Sequence, residues 1–154
     1  MLYDNSQFIS VFSISDFLNK DTKNSFLVQQ TVYYWLGLSK KNHHLFPASV
    51  DADNKDVTGA QYIFKKSEVL KNLTKEQSYC KSYFNITQDM LWENNWHMHR
   101  TNYDNSKEAK KIISKLKKKR KNKSFPAIDN KGICTWNCMM IIDLLDASIS
   151  YNKI

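Results

Sequence analysis

Phe26 to Leu38, FLVQQTVYYWLGL, is the stretch on which the fold turns. β-branched and aromatic residues dominate it, and Phe26, Val28, Val32, Tyr34, Leu36 and Leu38 share one parity. That alternation predicts a central β-strand with one face turned inward. Further along, Gln61 to Phe64 reads as a short strand, and Ser67 is placed to cap a helix running through Val69, Leu70 and Leu73. Tyr83 to Tyr103 contains a second alternation, Trp96, Met98 and Arg100 against His97, His99 and Thr101, which sets both histidines on one strand face.

The C-terminal third has a different period. Asn105 followed by Glu108 has the form of a capping box, and Ala109, Ile112, Ile113 and Leu116 then recur at helical spacing, predicting an amphipathic helix over about 106 to 120. Pro126 and Gly132 mark a loop. A last helix from about Cys134 to Ser148 carries Cys138, Ile141, Ile142, Leu145 and Ile149 on one stripe, widened by Met139, Met140 and Leu144, and is expected to be almost wholly buried. Phe8, Ile9, Val11, Phe12, Phe17 and Leu18 form another packed segment whose type the pattern leaves open. Together these elements predict an α+β fold, an antiparallel sheet packed against C-terminal helices, with residues 1–154 forming one domain.

Charge is concentrated in one place. The net charge is +8, yet residues 107–123 hold ten of the 23 basic side chains and one of the 15 acidic ones, leaving 13 and 14 elsewhere. Lys115, Lys117, Lys118, Lys119, Arg120, Lys121 and Lys123 would suit an anionic polymer or a membrane surface, or would simply solvate a helix end. Only Arg100 and Arg120 are arginines, which weakens the case for bidentate base or phosphate recognition. The longest apolar run, Cys138 to Ile142, is far short of the roughly 20 residues a bilayer helix needs. Met1 to Leu18 lacks the basic start of a signal peptide and contains Asp4 and Asp16, so a soluble chain made in the cytoplasm is expected, with export as an effector left open. Three cysteines, Cys80, Cys134 and Cys138, cannot all pair and read as thiols.

Cys134 falls in the first turn of the last helix, where unpaired amides and the helix dipole favour a thiolate. Cys138, one turn later on an apolar stripe, would stay protonated, and the plainer reading of both is as small core residues. The surrounding stretch, Lys131 to Ser148 (KGICTWNCMMIIDLLDAS), resembles the cysteine helix of circularly permuted NlpC/P60-like hydrolases of the papain fold. This resemblance covers roughly residues 105 to 148 and, loosely, 26 to 64. It implies a papain-like fold, Cys134 followed by Thr135 and Trp136 as nucleophile, and an upstream His as general base. In the family that His sits in the first core strand after a Gly. Val28 to Leu38 has none, so His43, His44, His97 or His99 would have to serve. Asn137-Cys138 imitates the family's Asn-Cys pair and gives an alternative register. The activity implied is cysteine-dependent hydrolysis of amide or ester bonds without a cofactor, as in an antibacterial effector with a cognate inhibitor protein.

Asn42-His43-His44-Leu45-Phe46-Pro47 resembles instead the His-His opening of HNH-type (ββα-metal) toxin nucleases. That resemblance implies a divalent metal, further ligands from His97 and His99, an orienting Asn94 or Asn95, and nucleic acid as substrate. His97 and His99 with Cys134 and Cys138 also offer zinc-compatible ligand types, without the spacing of a finger or ribbon. A non-catalytic immunity or adaptor module is the remaining reading. Tyr33, Tyr34, Trp35, Trp92 and Trp96 are expected as core and sheet aromatics rather than a stacking platform.

Overall fold

In a computed structural model the described residues are 1–53, 59–65, 67, 69, 81–84, 91–92, 95–97 and 106–151. The chain forms two compact units, one from residues 1–51 and 128–154, the other from 52–127. Both mix helices with antiparallel strand pairs, the α+β architecture expected.

The first unit is built on helices α1 (Leu2–Asn19), α2 (Ser25–Ser39) and α4 (Cys134–Tyr151). Leu2, Ser6, Ile9, Ser13 and Asp16 of α1 are buried, a 4-3-4-3 spacing that lines one side of a helix and settles the type of the N-terminal segment. Its end is a left-handed Lys20 (φ 50°), with the Asp21 amide donating to the Asp16 carbonyl at 2.9 Å. α4 runs parallel to α1. Tyr3 meets Trp136 edge-on at 4.9 Å between ring centroids, Ser6 donates to Asp143, Ser10 donates to Asp146 at 3.1 Å, and Tyr151 donates to Asp16 at 2.9 Å. Strands β1 (Ser49–Val50) and β5 (Ile128–Asp129) pair antiparallel, Ser49 opposite Asp129 and Val50 opposite Ile128.

Two expectations are corrected in this unit. Phe26 to Leu38 is the helix α2 and not a strand, so the sheet predicted around it does not exist. Val28, Val32, Trp35 and Leu38 recur with helical period and are buried, whereas Phe26 and Tyr34 of the supposed inward parity are exposed. Packing of that stripe against α1 and α4 overrides the local β-propensity. α4 is also not almost wholly buried. Met140 and Ala147 are its buried residues, and the stripe of Cys138, Ile141, Ile142, Leu145 and Ile149 faces outward, because the hydrogen bonds of Asp143 and Asp146 to α1 turn the opposite side inward.

The second unit contains β2 (Ile63–Lys65), β3 (Leu91–Trp92), β4 (Asn95–His97) and helix α3 (Lys107–Lys121). The strands form an antiparallel sheet in the order β2-β4-β3, with Phe64 opposite Trp96. Phe64 and Trp96 pack with Ala109, Ile112 and Leu116 of α3 and with Val69, Tyr83 and Phe84. α3 lies one residue from where its apolar period put it, and its N-cap is Ser106, whose hydroxyl accepts from the Ala109 amide at 3.1 Å. Asn105, the cap expected from sequence, lies outside the described residues, as do Cys80, His99 and Asn94. Among the described residues no helix is long and apolar enough to cross a membrane.

Candidate functional site

Two of the sequence-derived sites converge on one corner of the first unit, where the loop leaving α2 meets the first turn of α4. The loop turns sharply. His43 (φ 51°) and His44 (φ 66°) are consecutive non-glycine residues in the left-handed region, a conformation that costs roughly 1 kcal/mol or more per residue. The His44 amide closes it by donating to the Ser39 carbonyl at 3.0 Å, and the Leu45 amide by donating to Asn42 at 2.9 Å.

Asn137 then fastens this loop to α4. The Phe46 amide donates to its Oδ1 at 2.9 Å, and its Nδ2 donates to the Phe46 carbonyl at 3.1 Å, a two-bond clasp resembling a step of β-ladder. Asn42 Nδ2 donates to the Asn130 carbonyl at 3.1 Å, adding a second tie. Gly132 lies so close to Leu45 that a Cβ there would stand 2.8 Å from Leu45 Cδ1. The amide of Asn137, which in the sequence imitates a catalytic Asn-Cys pair, is thus occupied with loop backbone. Its contact with Phe46 crosses most of the chain, and no local pattern announces it.

The thiols are open to solvent. Cys134 begins α4 as expected, and both Cys134 and Cys138 are exposed, so neither is the small core residue that was the plainer reading. A hydrogen bond shared with Cys134, together with the charge Cys134 would carry, holds the Cys138 thiol above its usual range. The loop imidazoles are exposed as well, and among the described residues no hydrogen bond joins His43 or His44 to Cys134. His97 belongs to β4 of the second unit, paired opposite Ile63. Among the described residues no group of three or more His, Cys, Asp or Glu side chains is placed to hold a metal ion.

The basic segment is the remaining candidate, and two of its seven singled-out cations face inward. Lys123 Nζ donates to the Ala60 carbonyl at 2.9 Å and to the Ile63 carbonyl, and lies 4.6 Å from the centre of the Phe64 ring. Arg120 lies over the same ring at 5.8 Å. Lys117, Lys118 and Lys121 are exposed, while Lys115 and Lys119 are half-buried.

Compared with protein-family models and with curated proteins, the chain gives no match.

Proposed function

We propose that this chain is a non-catalytic module that acts by association. The observation that carries this reading is the outward side of α4, where Cys134 and Cys138 lie exposed among Ile141, Ile142, Leu145 and Ile149. A thiol nucleophile works through an imidazole within hydrogen-bond reach, directly or across one water, and inside a pocket that excludes solvent. Cys134 has the thiol of Cys138 as its partner instead, on an open helix face. Alkylation of single-cysteine chains with iodoacetamide at about pH 6, where ordinary thiols are slow, tests the reading. Cys134 should react no faster than an unstructured peptide thiol, and simple acyl esters should show no turnover.

Cysteine hydrolysis is the second reading, favoured by the clasp of Asn137 on Phe46, which anchors the His43–His44 loop against the turn that bears Cys134. It predicts fast alkylation of Cys134 at the same pH and ester turnover that Cys134→Ala abolishes. Either result removes the non-catalytic reading.

A further inference from the structure

We propose that the outward strip of α4 is the interface of a homodimer in which two copies pair as a parallel two-stranded coil. The inference rests on the non-catalytic reading, since Cys134 and Cys138 belong to the strip that the second copy covers.

The α1–α4 contact side mixes Leu2, Ile9, Met140 and Ala147 with Ser6, Ser10, Asp143 and Asp146, whereas Ile141, Ile142, Leu145 and Ile149 on the other side of α4 are 54%, 59%, 60% and 66% exposed. Such a strip offers on the order of 500 Å², at the upper end of what monomers leave open. Two such strips face to face would cover on the order of 1,000 Å² in total, the lower limit of a specific interface. A strip of this size in water favours an apolar occupant.

Spacing identifies the occupant. Thr135, Cys138, Ile142, Leu145 and Ile149 follow one another at intervals of 3, 4, 3 and 4, the repeat of a coiled-coil seam, whose complement is another copy of itself. Ile142 and Ile149 take the first seam position and Leu145 the second, the combination that favours two parallel strands.

Charge agrees. α4 carries only two charged side chains, Asp143 and Asp146, and both reach α1 through Ser6 and Ser10, so two strips would meet without like charges between them. The helix has no Lys or Arg, the residues by which amphipathic helices hold anionic lipid, so a membrane surface is the poorer occupant.

Sedimentation equilibrium of the full chain across the micromolar range tests the proposal. The wild type should give twice the 18.1 kDa chain mass. Leu145→Glu should give the single-chain mass with an unchanged far-UV circular dichroism spectrum, and Leu145→Met should restore the dimer. A chain retaining Cys138 alone (Cys80→Ser, Cys134→Ser) tests the parallel arrangement. Diamide should take two electrons and two protons from the facing pair of Cys138 thiols, forming one S–S bond and a reduced hydrazine, and yield a covalent dimer. Single-chain mass at every concentration, a dimer that survives Leu145→Glu, or a dimer that diamide fails to link through Cys138 would overturn the proposal. So would strip-dependent binding of the monomer to phosphatidylcholine vesicles. A single-chain mass with a slow Cys134 removes the dimer and leaves the non-catalytic reading standing, whereas fast alkylation of Cys134 removes that reading whatever the mass.

Discussion

Asp16 joins three helices through one carboxylate. Near the end of α1, it accepts the Asn24 amide at 2.9 Å and Asn24 Nδ2 at 2.8 Å, just before α2, and also the Tyr151 hydroxyl from α4. Asp16→Ala leaves those donors without their acceptor in a largely closed site and should cost about 1–3 kcal/mol in urea unfolding. Burial, followed by the hydrogen bond to Asp16, pushes the Tyr151 phenol up to about 12. The folded state thus binds that proton more tightly than the unfolded state does. Its contribution is complete below the ordinary tyrosine value of about 10 and is lost as pH rises towards the folded value. Stability measured from pH 9 to 12 should fall less steeply in Tyr151→Phe. Because Cys138 is exposed, Cys138→Ala should change stability by no more than about 0.5 kcal/mol.

At the scale of single elements, the two ends of helices that sequence reads differently give opposite predictions. Lys20 closes α1 in the left-handed region that favours glycine, so Lys20→Gly should raise the thermal midpoint, by roughly 0.5–1 kcal/mol in stability. Ser106→Ala removes the side-chain cap of α3 and should lower stability by about 1 kcal/mol. α3 was legible because charged and apolar residues separate cleanly around it. α2 was not, since Val28, Val32 and Leu38 satisfy a two-residue and a helical period at once, and exposed Tyr33 and Tyr34 blur the contrast between faces. Length was the better guide, thirteen unbroken residues being long for a strand and ordinary for a helix. In α4 the apolar stripe was identified correctly but aimed the wrong way. The direction depends on what the neighbour presents, and α1 presents Ser6 and Ser10 to Asp143 and Asp146 beside Leu2 and Ile9, a partnership that no window of sequence contains. The corner that unites the His43–His44 loop with Cys134 was hidden for the same reason, its clasp joining residues 91 apart.

Across the whole molecule, positive charge is gathered on α3 and the residues just after it, and the rest of the chain is close to neutral. If the exposed Lys117, Lys118 and Lys121 hold an anionic polymer, retention on immobilised heparin should weaken steeply between about 50 and 200 mM salt. Their combined replacement by Glu should flatten that dependence. Lys123→Met should instead act on the second unit's stability, since its ammonium is engaged with backbone carbonyls.

The pairing of β1 with β5 sets the points where the chain departs for the second unit and returns from it side by side, Val50 opposite Ile128. A detour whose two ends already touch is interchangeable with a hairpin turn. Splicing Val50 to Ile128 through Asn-Gly, the dipeptide that suits a two-residue reversal between antiparallel strands, would keep their pairing and leave the hydrogen bonds that tie the three helices through Asp16 and the loop through Asn137 in place. Such a shortened chain should melt cooperatively and keep a helical circular dichroism spectrum. The long intervening segment would then be cargo carried by the helical scaffold, free to diverge, enlarge or be exchanged without the scaffold having to refold around it.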